Sequence, residues 1–460
     1  MSQAEQSSHR SELDSLGHVS VPTDALYGAH TVRALANFPA CPPLLKDLPD
    51  LVIALSQTKS AAATANGQVD ELPKPIVEAI TQAATEIQAG QWLDHFPLPV
   101  LQGGGGTSTN MNINEVLANR AGELLGDARG SYRSVHPIDH VNRSQSSNDV
   151  YPTALSIAAL KTGDRTLSAF AALADTCEAK ADTVPSELTR LGRTCLQDAL
   201  PVSVRETHLA HARGLRRGTE DLRRALDGLR PLPLGGTAVG TGFGAPTHYD
   251  RLAIEALTRL TGIDLHISDD AMGALQSLDP YVAVAQALTR LMGTAAKIAR
   301  DFRFLSSGPL AGIGELILPA VQAGSSAMPG KINPVIPELV IQMSFRASGA
   351  QTAIEQAAAA GELELNVMDP TVAAHLLPAL DACGSTATIF AERCMRGLAW
   401  DRGALKKHLQ ASLADAVELA RTDGYDAASN RSSTTATPKT PQPERHSRMR
   451  DPRSKAREGR

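Results

Sequence analysis

Apolar residues recur at intervals of three and four along much of this chain, the pattern of helices with one buried face. It is clearest between Asp279 and Leu305, where Val284, Leu288, Leu291, Ala295, Ile298, Phe302 and Leu305 fall on one stripe. Asp279 suits the cap of such a helix and Pro280 its first turn. About 26 helical residues would span roughly 39 Å. Similar patterns cover TALSIAALKTGDRTLSAFAALADTCEAKAD from 153 and RETHLAHARGLRRGTEDLRRALDGL from 205. Two more helices are expected, one after Pro337 and one from near 375 to Trp400. Residues 51–95 read as two helices separated at GQVDELPKP, where proline interrupts the hydrogen-bond ladder. The first 50 residues look irregular, with PTDALYGAHTVRALANFP holding a strand or turn that leads into a helix. Helices this long bury their stripes most simply in a bundle, and several are apolar around more than half their circumference, which favours oligomerisation. The expected fold class is mainly all-α, with a central bundle of long helices.

Composition sharpens this picture. The chain has 460 residues, enough for two or three domains and a sizeable core. Hydrophobic residues make up 42% and aromatic residues only 3%, which suits closely packed Ala- and Leu-rich helices better than a sandwich. A formal charge of -5 gives no folded domain the basic balance of a nucleic-acid or anionic-membrane binder. Five cysteines, at 41, 177, 195, 383 and 394, form no CxxC pair, against both a disulfide framework and a cysteine zinc cluster. MSQAEQSSHR has no apolar signal core and no apolar run is long enough to span a bilayer, so a cytoplasmic location is expected. From about Ser429 the chain turns basic and proline-rich and reads as a disordered, solvated tail.

Polar segments interrupt the helical pattern: GGGGTSTNMN (103–112), RSQSSNDVYPT (143–153), GRTCLQDALP (192–201), GSSAMPGKINP (324–334) and the glycine-rich PLGGTAVGTGFG (233–244). Each reads as a loop offering hydroxyls, amides and backbone N–H groups with few charges, a set able to surround a carboxylate. Lys331 and Arg193 add positive charge. No GKS or GKT follows GGGG, so it is not a phosphate loop, and alone it reads as a flexible connection. Ser and Asn ahead of a helix read first as caps, and Asp149 and Asp198 as structural. His136 and His140, without a further ligand set, read as hydrogen-bonding loop residues rather than metal ligands. The residues alone give a helical, oligomeric protein with a polar site for a small anion.

In chain order, GTSTNMNINEVLANRA, HPIDHVNRSQSSNDVYPTA, GRTCLQDALP and GSSAMPGKINP resemble the signature blocks of the aspartase and class II fumarase family, and the resemblance covers about residues 11–425. It implies an N-terminal domain (1–145), a central long-helix domain (146–400) and a truncated or altered small C-terminal domain (401–428) ahead of the tail (429–460). It also implies a homotetramer that pools the central helices, each active site drawing on three subunits. The implied chemistry is elimination from a substituted succinate to give fumarate through a stabilised aci-carboxylate, with no cofactor, no metal, and no nucleic-acid or membrane partner.

Carried onto matching positions, Ser325 is the base, and Lys331 and Asn333 bind substrate carboxylates. Thr107, Ser146, Ser147, Asn148 and Thr194 complete the grip. Glu338 matches a glutamate that pairs with an active-site histidine in many relatives. Here that histidine is replaced by Cys195, which lacks the two imidazole nitrogens. YGAHTVRALANF and the VIPE that follows the signature resemble the aspartase form. The resemblance therefore favours ammonia loss from L-aspartate. Water loss from L-malate, a related lyase with a shifted substrate, and a helical scaffold without catalysis are the alternatives.

Overall fold

The computed structural model describes residues 8–38, 41–411, 414–426 and 428–429; the tail expected to be disordered lies almost wholly outside them. The N-terminal segment is more regular than its sequence suggests. Strands β1 (His9–Asp14) and β2 (Gly17–Pro22) form an antiparallel hairpin, followed by α1 (Ala29–Asn37). Glu115 holds the start of α1, its buried carboxylate accepting the N–H groups of Gly28, His30 and Thr31.

Helices α2 (Pro49–Gln68) and α3 (Lys74–Gln88) are the expected pair, broken where Pro73 precedes the second. Helix α4 (Thr107–Leu124) begins inside a segment that the sequence reads as loop, so TSTNMN is helical. A five-residue π-helical turn spans Pro137–Val141, again within an expected loop. There His136 Nδ1 accepts from the N–H groups of Ile138 and Asp139, and His140 Nδ1 from that of His136, the loop-bonding role read for both.

The longest element is α5 (Ser147–Asp182), 36 residues. A two-stranded hairpin of β3 (Thr189–Thr194) and β4 (Gln197–Ser203) follows, and α6 (Val204–Asp227) returns along α5. Next come β5 (Pro231–Leu232), α7 (Tyr249–Thr261), β6 (His266–Ile267) and the short α8 (Ala271–Gln276). Helix α9 (Asp279–Leu305) has the expected bounds, and all seven residues of the stripe are buried. Asp279 is its first residue rather than its cap; its N–H donates to Ser277 Oγ. Strand β7 (Leu316–Ile317) leads to α10 (Val335–Ala358) and α11 (Asp369–Phe390). Helix α11 stops ten residues short of Trp400, giving way to a π-helical turn and β8 (Ala399–Trp400), which pairs with β7. Helices α12 (Arg402–Gln410) and α13 (Ala414–Asp423) end the described chain.

Helices α5, α6, α9, α10 and α11 pack against one another as a bundle. Leu155, Phe170, Leu215, Leu291, Phe302, Leu376 and Phe390 are among its buried side chains. The fold is thus mainly helical around a central long-helix bundle, and no described helix is long and apolar enough to cross a membrane. Helix α10 is the exception to deep burial. Val340, Ala347 and Ile354 face inward, but Phe345 is 64% exposed, and Ile341 and Met343 are only partly covered.

Asp369, the first residue of α11, is buried, its Oδ1 has no partner among the described residues, and burial pushes its carboxyl up to about 7 from an ordinary 3.8. Between those values the folded state binds more protons than the unfolded state. This group's contribution is therefore full at low pH, declines as pH rises toward 7, and is constant above it. Asp369→Asn should raise the free energy of urea unfolding at pH 8, by about 1.4 kcal/mol for each unit of upward shift, with little gain near pH 4.

Candidate active site

The first polar block is a fixed turn, not the flexible connection its glycines suggest. Gly104, Gly105 and Gly106 all take left-handed φ values (82°, 58°, 82°), and a Cβ at 106 would enter the Tyr151 ring. The turn delivers Thr107 as the exposed first residue of α4, its hydroxyl donating to Gly104 O at 2.7 Å.

The second block caps α5. Ser146 Oγ accepts from Asn148 N (3.2 Å), and Ser146 N donates to Asp149 Oδ1 (2.9 Å), a reciprocal cap. Ser147 opens the helix, and Asn148 Nδ2 donates to Ala238 O (2.7 Å). Asp149 is buried, and its other oxygen accepts from Gly235 N (3.1 Å) and Thr237 N (3.0 Å). Burial pushes its carboxyl up to about 6 against these donors. Beneath the block lies Lys59, fully buried, with Nζ donating to Asn142 Oδ1 and Gln145 Oε1, both at 2.9 Å. Burial lowers its pKa to about 7, while the charge of Asp149 works the other way. Asn110 and Asn114 of α4 donate to the same Asn142 oxygen, so the first two blocks share one polar base. Sequence reasoning missed Lys59; the clue was a lone lysine in the alanine-rich SQTKSAAATA.

The third block is a hairpin rather than a loop. Its two turn residues, Cys195 and Leu196, both have positive φ (54° and 61°), although neither is the Gly or Asn such a turn favours. Thr194 and Cys195 are exposed at the tip. Arg193 does not offer a free charge: its guanidinium forks onto Glu315, Nη2 to Oε1 at 2.7 Å and Nη1 to Oε2 at 3.0 Å. Asp198 stands opposite Arg193 across the hairpin.

The signature segment forms a loop with a pinned neck. Gly324 N donates to Lys331 O (2.9 Å), and Asn333 Nδ2 donates to Gly324 O (2.6 Å). A Cβ at 324 would sit 2.5 Å from Lys331 O, so only glycine fits the neck. At the base of the loop, Ser325 Oγ accepts from two backbone donors, Ala327 N at 3.1 Å and Met328 N at 3.0 Å. Two N–H dipoles aimed at one oxygen stabilise negative charge there, as an alkoxide base requires. Lys331 is exposed and, among the described residues, makes no ion pair. Glu338, in the first turn of α10, pairs with Arg303 (3.7 Å).

These residues fall into two groups. Tyr281 OH, at the start of α9, donates to Pro152 O and meets Ser156 Oγ, which places the start of α9 at the start of α5. Lys180, at the other end of α5, donates to Leu398 O beside β8. Thr107 and Ser146–Asn148 therefore sit at one end of the bundle. Thr194, Cys195, Ser325, Lys331, Asn333 and Glu338 belong to the other, about 40–54 Å of helix away. One chain does not gather both groups around one small molecule.

A family model described as Lyase matches residues 17–349. The aspartate ammonia-lyase of Escherichia coli (strain K12) is 40% identical over 390 residues, covering 85% of this chain and 81% of that protein. The class II fumarate hydratase of Thermus thermophilus is 39% identical over 421 residues, covering 91% and 90%. The crystal structure of a fumarate lyase:delta crystallin from Brucella melitensis bound to cobalt superposes with a TM-score of 0.89 at 40% identity, over 93% of this chain and 92% of that one. The chain belongs to the fumarase/aspartase lyase superfamily. Its fold is a lyase catalytic fold, and the four blocks occupy the turns, caps and loop just described. Similarity to the ammonia-lyase and to the hydratase is nearly equal, so the leaving group has to be argued from the site.

Proposed function

We propose that this lyase is an aspartate ammonia-lyase, eliminating ammonia from L-aspartate to give fumarate. The observation that carries this reading is the absence of an imidazole from the third block. Cys195 occupies the exposed turn, and Glu338 is paired with Arg303 instead of a histidine. Loss of water needs a group to protonate hydroxide as it leaves. An amine already protonated in solution leaves as neutral ammonia without one, so a site lacking imidazole suits aspartate better than malate.

In this reading Ser325, as alkoxide, takes the proton from the carbon next to a carboxylate. The charge that develops on that carboxylate is met by Lys331, by Asn333 and by the hydroxyls and amides of Thr107, Thr194 and Ser146–Asn148. The carbon–nitrogen bond then breaks to form the double bond of fumarate. Because these residues sit at opposite ends of the bundle, at least one further copy of the chain must complete each site, and the family resemblance implies three chains in all. The half-covered apolar face of α10, with Phe345 outermost, supports assembly through the segment 146–400 into a homotetramer.

Purified protein assayed with L-aspartate and L-malate in parallel tests this. One ammonia per fumarate from aspartate, with malate inert, is expected; turnover of malate alone would reassign the chain as a fumarase. Cys195→His should raise the malate-to-aspartate rate ratio by about 10²-fold, the lower end of what general acid–base groups supply. An unchanged ratio would remove Cys195 from the choice of leaving group.

A further inference from the structure

One carboxylate ties together three segments that are far apart in sequence. Glu315 is fully buried and lies ten residues before Ser325. Its oxygens take the Arg193 fork and also His408 Nδ1 at 2.7 Å, partners 122 and 93 residues away. Its backbone carbonyl accepts the N–H of Asp401, and Asp401 Oδ1 in turn caps α12 through Ala404 N (2.9 Å). The next residue, Leu316, starts β7, which pairs with β8. Helix α12 packs on β3, with Leu405 buried against Val184 and Val204.

Arg193 is the residue before Thr194, and the bidentate fork fixes its orientation as well as its position. Burial works against charge on Glu315, yet the hydrogen bonds from Arg193 and His408 hold its carboxyl below the ordinary range. An ionised, buried carboxylate is stable only while these partners stay in place.

We propose that Glu315 is a positioning residue that holds the Thr194–Cys195 hairpin in register with the Ser325 loop and makes that register depend on the docking of α12. The role in turnover rests on the functional reading above; the coupling of the three segments does not. A hairpin held on one side by the Arg193 fork and on the other by α12 ties the placement of Thr194 to a helix far along the chain from it.

The test is a set of full-length variants: Glu315→Gln, Arg193→Lys, their double, and His408→Gln. With whichever of aspartate or malate the wild type turns over, Glu315→Gln and Arg193→Lys should each raise KM about tenfold, the scale of one charge-assisted hydrogen bond. The double should be no worse than the worse single, because both remove one fork. A purely structural defect lowers the active fraction, and hence kcat, and leaves KM unchanged. Hydrogen exchange supplies a readout that needs no activity. All variants, including His408→Gln on α12, should speed amide exchange in residues 189–203 and 402–410 together, with α5 and α9 unchanged. Unchanged KM, additive effects, or exchange that rises in only one of the two segments would overturn the proposal. A wild type silent on both substrates refutes the functional reading alone, and the exchange pattern then decides this one.

Discussion

Replacing Ser325 by alanine is expected to cut fumarate formation by about 10³-fold or more while leaving fold and assembly unchanged. The size follows from removing the only group proposed to take the proton. The absence of a folding penalty follows from the geometry: the two N–H groups that lose an acceptor, on Ala327 and Met328, are on exposed residues and turn to water. Exposed substitutions of this kind change stability by about 0.5 kcal/mol or less. Ultraviolet absorbance of fumarate, read beside sedimentation of the same sample, checks both halves. Substantial turnover by a well-assembled variant would take the base role away from Ser325.

Asp149→Ala should be the most damaging change to structure near the site. It strips an acceptor from the N–H groups of Ser146, Gly235 and Thr237 in one step. Each buried donor left unpaired costs about 1–3 kcal/mol, so the sum rivals the about 5–15 kcal/mol by which a domain is stable. Lys59, fully buried beneath, loses the opposite charge that favours its protonated form. The expected result is protein that accumulates poorly, and whose folded fraction unfolds at markedly lower urea than wild type. Asp149→Asn, which keeps one acceptor oxygen, should fall between the two. An alanine variant with wild-type urea resistance would mean that the α5 cap and the 235–237 loop do not depend on this carboxylate.

Where sequence and structure agree, a local rule and the packing point the same way. The stripe from Val284 to Leu305 is legible because a bundle helix must bury one face, and Pro280 marks its start. The first-block helix starts earlier than its sequence suggests because Asn, Ser and Thr read as loop formers, while here Asn110, Asn112 and Asn114 are buried. The third block hides its hairpin for a different reason. Cys195 and Leu196 occupy positions where Gly or Asn would have announced a two-residue turn. Most of the candidate site residues were named through the resemblance of four blocks, not through spacing, and none of those blocks includes Glu315. Its partners are distant in sequence, and the only local sign is one acid in the apolar stretch IGELILPAV. The free charge expected of Arg193 is taken up by that same hidden acid.

Helix α5 works as a ruler. The serines proposed to grip substrate stand at its start and the Thr194 hairpin follows its last turn, so its residue count sets their separation. Deleting one residue would draw the ends together by about 1.5 Å and rotate one against the other by about 100°. In the proposed assembly, either error would be repeated in every copy that contributes to a site. Among descendants of this gene, insertions and deletions should therefore collect outside α5, in segments such as the 125–136 connection. Within residues 147–182 exposed side chains such as Asp164, Ser168 and Asp175 are free to drift, but the number of residues is not.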